Sequence, residues 1–233
     1  MAKGKKIKSF FKVILYLFLF FIVFTVTPVI IYKFVNPPVS PLMFLRALDQ
    51  KTSGDTVSFS YKWVPIDSMS SYLFEAAIAA EDDHFMTHHG FDIEALEQAY
   101  AANQKTDKPI KGGSTISQQT AKNVFLWPGR DYVRKGLEAW FTVLTEFVWG
   151  KERIMETYLN VVELGDGIYG VEAASQKYFK KHASKLTKME AAALIAVLPN
   201  PHIYKVIKPS TYTQQYKWAI YTRMGILPKV SFK

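Results

Sequence analysis

The 233-residue sequence contains no cysteine, which excludes a disulfide framework and a metal site built on thiolates. An internal repeat and a low-complexity tail are also absent. No stripe of Lys and Arg with interleaved aromatic residues occurs, so the usual signature of a nucleic-acid-binding protein is missing. We therefore expect no nucleic-acid partner.

The positive charge of the chain is concentrated at one end. The formal net charge is +9, and five lysines precede residue 13, which leaves +4 for residues 13–233. This mild excess favours anionic partners, such as lipid headgroups or a phosphate-bearing substrate.

Charged residues are absent from Val13 to Tyr32, where Phe, Leu, Ile and Val dominate. The run has about the 20 residues that a helix needs to cross a bilayer. Because lysines precede it, the positive-inside rule predicts a cytoplasmic N-terminus and an extracytoplasmic remainder. A cleaved signal peptide would have a shorter apolar region and a small-x-small cleavage site, which this sequence does not offer. We therefore predict a single uncleaved anchor.

These features divide the chain into a basic cytoplasmic tail (1–12), a transmembrane anchor (13–34), a linker (35–50) and an extracytoplasmic domain (51–233). Prolines make Val35–Pro41 stiff and extended. Apolar and polar residues alternate over Val57–Trp63, which predicts a strand. Helical patterns follow at 70–81, 93–103, 117–125, 132–149, 151–160, 170–179 and 188–197. The polar, glycine-ended segment 103–113 is predicted to be a loop. The domain is therefore predicted to be mainly α, with a small β element.

The most informative local motif is GGSTISQQTAKN, residues 112–123. Ser114 is predicted to cap the N-terminus of a helix. In that helix Thr115, Gln119 and Lys122 lie at i, i+4 and i+7 and share one face. A hydroxyl, an amide and an ammonium beside a helix N-terminus suit an oxygen-rich anionic ligand. A capped amphipathic helix with a solvated polar face explains the segment equally well when it is taken alone.

An acidic cluster begins at the end of the predicted helix 70–81. Glu81 lies at the C-terminus, where the helix dipole would raise the pKa of its carboxyl, as a general base or acid near neutral pH requires. A solvated acidic surface is the alternative, although Phe85 and Phe91 argue against full exposure. His84 and His88 have the spacing of a zinc pair, but they lack a third ligand. We expect one of them instead to orient a carboxylate or the backbone.

A third group consists of Arg134, Lys135 and Glu138. An ordinary helical salt bridge between the first and the last is the simple interpretation, and it stabilises only slightly. The functional interpretation is a guanidinium fork for pyrophosphate, with Lys135 and Lys122 adding charge. Glu138 would then hold Arg134 in place or ligate a hard divalent cation.

In this order, the blocks resemble the bacterial peptidoglycan glycosyltransferases, the lysozyme-like family that polymerises lipid II. The resemblance covers about Trp63 to Pro201. It is carried by Glu81-Asp82-x-x-Phe85-x-x-His88-x-Gly90, Gly112-Gly113-Ser114-Thr115-x-x-Gln118-Gln119-x-x-Lys122-Asn123, Arg134-Lys135-x-x-Glu138, Arg153-Ile154-x-Glu156-x-Tyr158-Leu159-Asn160 and Tyr178-Phe179. Because the sequence ends soon after the last block, we expect a monofunctional member without a transpeptidase domain.

The resemblance implies an inverting transfer that builds linear β-1,4 glycan strands. Glu81 would deprotonate the 4-hydroxyl of the acceptor lipid II, which attacks C1 of the lipid-linked glycan chain and releases undecaprenyl pyrophosphate. Lys122, Arg134 and Lys135, with Mg²⁺ or Mn²⁺ near Glu138, would stabilise the leaving group. No organic cofactor is expected.

The resemblance also assigns the site. Glu81 and Glu138 are the expected catalytic residues, and Glu138 is the candidate metal ligand. The expected substrate-binding residues are Asp82, Phe85, His88, Gly113, Ser114, Thr115, Gln118, Gln119, Lys122, Asn123, Arg134 and Lys135. The expected partners are lipid II, the glycan chain, the inner (plasma) membrane that holds the single-pass anchor, and other cell-wall synthesis and division proteins.

Two other functions and one local question stay open. A lysozyme-like glycan-cleaving enzyme would also use one Glu, but it would need a long sugar cleft without a basic pyrophosphate cluster. A non-catalytic scaffold of the cell-wall machinery would be expected to lack Glu81 or Glu138, and both are present. The apolar cluster Phe125–Trp127 either dips into the membrane interface, where Trp is favoured, or packs in the core.

Overall fold

The apolar N-terminal run forms one long helix. The computed structural model describes residues 2–54, 56–104, 112–129 and 131–232, and its first helix, α1, spans Ala2–Phe34. The segment Ser9–Phe34 is long and apolar enough to cross a membrane, judged by length and composition. Contacts within the chain divide it into two units, residues 1–36 and residues 37–233. The predicted anchor lies within α1, in the first unit.

Part of the predicted linker is helical. Helix α2 spans Pro41–Thr52, and Ser40 caps it by accepting a hydrogen bond from the backbone N–H of Met43 at 3.3 Å. Proline suits the first position of a helix, because the N–H that it lacks would have no partner there. The prediction treated Pro41 as the end of an extended segment, whereas this residue begins a helix.

Nine α-helices and three short strands make up the described part of the second unit. After α2, the helices are α3 (Ser71–Glu81), α4 (Ile93–Asn103), α5 (Ile116–Phe125), α6 (Tyr132–Val148), α7 (Gly150–Val161), α8 (Val171–Phe179), α9 (Lys188–Ile195) and α10 (Thr211–Arg223). Short 3₁₀ helices lie at Ile66–Ser68 and Ala183–Lys185. The mainly helical fold with a small β element is confirmed, and α3 to α9 begin and end within two residues of their predicted bounds.

The sheet is smaller than the predicted strand suggested. Strand β1 covers only Ser60–Tyr61 and pairs in parallel with β3 (Ile168–Tyr169), which pairs antiparallel with β2 (Glu163–Gly165). The alternation over 57–63 did not produce a longer strand, because its first apolar side chains, Val57 and Phe59, remain 44 % exposed. They gain little from a buried sheet face.

Helix α5 lies at the centre of the helical body. It packs against α2, α6 and α7, while α3 packs against α9 and α10. Ile116 and Val124 of α5 are buried, as are Ile154 and Leu159 of α7. This packing brings the C-terminal end of α3, the polar face of α5 and the first turns of α6 to one region.

The structure shows how the apolar cluster Phe125–Trp127 packs, but it describes only part of the predicted loop 103–113. In the Phe125–Trp127 cluster, Leu126 is buried in the core, and the half-buried ring of Phe125 stacks on Phe141 with centroids 4.6 Å apart. Trp127 is 39 % exposed. Of the predicted loop 103–113, residues 105–111 lie outside the described residues.

Candidate active site

The carboxylate of Glu81, at the end of α3, is the centre of the site. Gln119 of α5 donates a hydrogen bond from Nε2 to Oε2 of Glu81 at 2.8 Å. Burial raises the pKa of Glu81, and the hydrogen bond from Gln119 and the charge of Lys122 oppose this rise. The predicted direction of the pKa shift agrees with the structure, but its main cause is loss of hydration rather than the helix dipole.

The next residue, Asp82, joins two segments of the site. Its buried carboxylate accepts hydrogen bonds from His88 Nε2, at 2.9 and 3.0 Å, and from the backbone N–H of Ile116 at 2.9 Å. Ile116 is the first residue of α5, so the negative charge also lies at the favourable end of that helix. Asp82 therefore fixes the loop after Glu81 to the helix that carries Gln119.

His88 is held in one tautomer by its neighbours. The backbone N–H of Gly90 donates to Nδ1 of His88 at 2.9 Å, so the ring proton lies on Nε2, which donates to Asp82. His84 pairs through Nδ1 with Asp92 Oδ2 at 2.8 Å. We expected one of these histidines to orient a carboxylate or the backbone, and both pair with an aspartate.

The start of α5 differs from the prediction by one residue. The N-cap is Thr115 rather than Ser114, and it forms a capping box with Gln118. Its hydroxyl also donates to the carbonyl of Gly90 at 2.7 Å. Gly90 has φ +96°, and a Cβ there would lie 2.9 Å from Cγ2 of Thr142, so only glycine lets the loop approach α6 this closely.

A group of charges lies around the first turns of α6. Arg134 Nη1 donates to Glu138 Oε2 at 2.8 Å, and Lys135 Nζ donates to Oε1 of the same carboxylate. Lys135 also contacts Ser114 Oγ at 3.3 Å. We call Lys122, Arg134, Lys135 and Glu138 the basic cluster. It contains three cations and one carboxylate.

Lys122 is the least neutralised member of the basic cluster. Its side chain is half-buried, and its ammonium has no hydrogen bond or ion pair with another described residue. Burial lowers the pKa of Lys122, the charges of Glu138 and Glu81 oppose this shift, and Arg134 and Lys135 add to it. A poorly hydrated ammonium among other cations is a suitable binding group for a multivalent anion.

The basic cluster fits a metal ion poorly. Mg²⁺ prefers six oxygen ligands in octahedral geometry. Both oxygens of Glu138 already accept hydrogen bonds from Arg134 and Lys135. Among the described residues, the group of side chains close enough to share a metal is Glu163, Asp166 and His202, which are not predicted site residues.

Several predicted substrate-binding side chains are buried. Phe85 is fully enclosed, Asn123 is 6 % exposed, and Gln118 is used in the capping box. Gly113 lies close against α4, since a Cβ there would lie 2.9 Å from Leu96 Cδ1. These residues pack inside the protein next to the site. Their contact with substrate stays a prediction.

Two tyrosines near Glu81 were not predicted as site residues. Tyr158 is fully buried, and its hydroxyl has no hydrogen-bond partner among the described residues. Burial, and then the charge of Glu81, raise the pKa of Tyr158. Tyr216 of α10 donates to the carbonyl of Ala80 at 3.3 Å. Tyr158 fitted the apolar face of α7 in the sequence, and α10 gave no clear helical signal.

Comparisons with known proteins point to one family. The family model described as Transglycosylase matches residues 49–225. A biosynthetic peptidoglycan transglycosylase of Caulobacter vibrioides is 55 % identical over 199 residues, which cover 85 % of this chain and 84 % of the relative. Proteins with the same description from Bdellovibrio bacteriovorus and Pasteurella multocida are 49 % and 46 % identical, over 91 % of this chain and 85 % and 86 % of their own lengths.

Proposed function

Because the chain belongs to the transglycosylase family and is a peptidoglycan glycosyltransferase, we propose that it polymerises lipid II into linear β-1,4 glycan strands. The reaction is an inverting transfer with Glu81 as the general base. The acceptor is lipid II and the donor is the lipid-linked glycan chain. The leaving group is undecaprenyl pyrophosphate.

The observation that carries this proposal is the spacing of two different chemical groups on α5. Gln119 binds Glu81, and Lys122, one turn later, belongs to the basic cluster. A base and a phosphate-binding group are therefore connected by a single rigid helix. A glycosyl transfer to a sugar hydroxyl with a pyrophosphate leaving group needs both groups at fixed separation.

The base step follows from the environment of Glu81. Its raised pKa increases the basicity of the carboxylate toward the 4-hydroxyl of the acceptor. As Glu81 takes the proton, the acceptor oxygen forms a bond to C1 of the donor and the bond from C1 to the pyrophosphate oxygen breaks. Attack opposite to the leaving group inverts the anomeric centre from α to β, and the protein forms no covalent intermediate.

The basic cluster supports the departure of the pyrophosphate. Negative charge grows on the leaving oxygen as the bond to C1 lengthens. Lys122 offers a cation that forms no ion pair with a described side chain, and Arg134 and Lys135 are held near it by Glu138. Preorganised cations stabilise this growing charge without first having to reorganise. Glu138 acts by holding the two cations in position.

The predicted Mg²⁺ or Mn²⁺ stays a prediction. Both oxygens of Glu138 are engaged by cations, so we assign no step to a metal bound there.

The apolar helix α1 supports a location at the membrane. Both substrates carry polyprenyl chains, so the enzyme must act at the bilayer surface. We propose that Ser9–Phe34 anchors the chain in the plasma (inner) membrane. The lysines before it favour a cytoplasmic N-terminus and an extracytoplasmic catalytic unit. Association with other cell-wall synthesis or division proteins also stays a prediction.

Incubation of the full-length protein in detergent with labelled lipid II tests the proposal. We expect glycan polymer from the wild type and a loss of about 10²–10⁴-fold in rate for Glu81→Gln, the usual contribution of a general base. Circular dichroism would check that the variant folds. Shortening of preformed glycan without polymerisation would instead support a cleaving enzyme, and normal polymerisation by Glu81→Gln would contradict the role of this residue.

A further inference from the structure

Two part-buried charges outside the predicted site contact two segments that flank Glu81. Lys151, near the start of α7, donates from Nζ to Glu146 Oε1 at 2.7 Å. Their side chains are 17 % and 9 % exposed. Glu146 also accepts a hydrogen bond from the hydroxyl of Ser117 in the first turn of α5, and Lys151 Nζ lies 3.5 Å from His88 Nδ1. The pair therefore contacts the loop after Glu81 and the helix that carries Gln119.

These contacts close a ring. Asp82 binds His88, which contacts Lys151, which binds Glu146, which binds Ser117. Ser117 follows Ile116 in the chain, and the backbone N–H of Ile116 returns to Asp82 at 2.9 Å. We call Asp82, His88, Lys151, Glu146 and Ser117 the Asp82 ring. Glu81 directly precedes Asp82 in the chain, and its hydrogen-bond partner Gln119 lies two residues after Ser117.

We propose that Lys151 and Glu146 are positioning residues, which hold Glu81 and Gln119 in register for proton transfer by acting through His88 and Ser117. The inference rests on the proposed function, in which Glu81 is the general base. Neither residue touches the reacting atoms. Their effect reaches Glu81 through the two segments that the ring joins.

Further contacts restrain the Asp82 ring. Lys151 Nζ also lies 4.7 Å from the ring centroid of the buried Phe85, which adds a cation–π contact. Both side chains are largely shielded from water, so removing one charge leaves the other poorly compensated and the pair resists separation. Gly90 lets the loop run close beside Glu146, since a Cβ there would lie 3.1 Å from Cγ of Glu146.

A buried ion pair that only stabilised the fold would have a different signature. Its loss would lower the fraction of folded enzyme and leave the kcat and KM of the folded molecules unchanged. Displacing a general base from its substrate hydroxyl lowers kcat in molecules that are folded and still bind lipid II. The ratio between the changes in kcat and KM therefore separates the two roles.

The test uses the full-length protein in detergent with labelled lipid II. Lys151→Met removes the charge with little change of length. Lys181→Met is the control, because Lys181 forms a more exposed ion pair with Glu190 at 2.7 and 2.9 Å and contacts none of the described site residues. We expect Lys151→Met to lower kcat about 10- to 100-fold with KM changed less than about threefold, since small displacements in a reacting pair have effects of this size. Lys151→Arg, which keeps the charge, should recover most of kcat.

A folded Lys151→Met variant with the kcat of Lys181→Met would overturn the proposal, and so would a change in KM alone. If Lys151→Met does not fold by circular dichroism, the double variant Lys151→Met/Glu146→Gln replaces it, because this variant leaves no buried charge unpaired. Wild-type kcat in the double variant would equally contradict the inference. A wild-type protein and a Lys181→Met variant that both fail to polymerise lipid II would instead refute the proposed function.

Discussion

The region around Glu81 and the basic cluster meet neighbouring turns of α5, at Gln119 and Lys122, but they are stabilised in opposite ways. Glu81 is half-buried and is bound by a neutral amide, that of Gln119. In the basic cluster, the carboxylate of Glu138 is bound by two cations, and Lys122 has no described counter-ion. The first arrangement raises the pKa of a carboxyl, and the second leaves positive charge available to a ligand.

This difference shows how one helix serves two chemical tasks. A strong ion pair at Glu81 would lower the pKa of its carboxyl and weaken it as a base. A complete ion-pair network at Lys122 would neutralise the charge that a pyrophosphate needs. Both oxygens of Glu138 are bound by cations, whereas the ammonium of Lys122 has no partner among the described residues.

Of the substitutions that test this difference, removing the charge of Lys122 should have the largest effect. We expect Lys122→Met to lower kcat about 10²–10³-fold, the usual cost of losing one preorganised group that stabilises developing negative charge. The unfolding temperature should not fall, because burial already disfavours the charged form of Lys122, as its lowered pKa indicates. Polymerisation assays and thermal unfolding measure the two effects, with the exposed Lys177→Met as control. A kcat equal to that of the control would contradict the role of Lys122.

Removing the charge of Glu138 should, unlike the loss of the Lys122 charge, destabilise the fold. Glu138→Gln leaves the buried guanidinium of Arg134 without its counter-ion, so we expect the free energy of unfolding to fall by about 3 kcal/mol. Denaturant unfolding would measure this. Equal stability of the variant and the wild type would show that Glu138 does not hold the basic cluster together.

A change beside Glu81 that removes no charge should have the smallest effect. Tyr158→Phe deletes a buried hydroxyl that has no partner among the described residues. We expect the free energy of unfolding to change by less than about 1 kcal/mol, because no hydrogen bond between described residues is lost. A larger loss in denaturant unfolding would indicate a structural role for this hydroxyl that the described contacts do not include.

Features that depend on residues close together in the sequence were predicted well. Helix α4 begins and ends as predicted, because Asp92 caps it and its helical pattern is regular. The pairing of Arg134 with Glu138 also follows from their i, i+4 spacing. The N-cap of α5 was wrong by one residue, since Ser114 and Thr115 are both good caps and only contacts with Gly90 and Gln118 decide between them.

Features that depend on distant residues could not be predicted. Ser117 and Glu146 lie 29 residues apart, and their contact requires α5 and α6 to pack together first. Helix α10 has only two buried residues, Thr213 and Ile220, so its apolar pattern is weak. The main cause of the raised pKa of Glu81 is burial, which depends on the packed fold rather than on the position of Glu81 in its helix.

The pH dependence of kcat/KM in the Gln119→Leu variant tests most directly whether Glu81 is the general base. The hydrogen bond from Gln119 opposes the rise in the pKa of Glu81, so its removal should raise that pKa further. A base acts when it is deprotonated, and activity therefore increases as pH rises through its pKa. We predict that the acidic limb of the profile moves to higher pH in Gln119→Leu than in the wild type. An acidic limb that stays in place or moves to lower pH would contradict the assignment of Glu81.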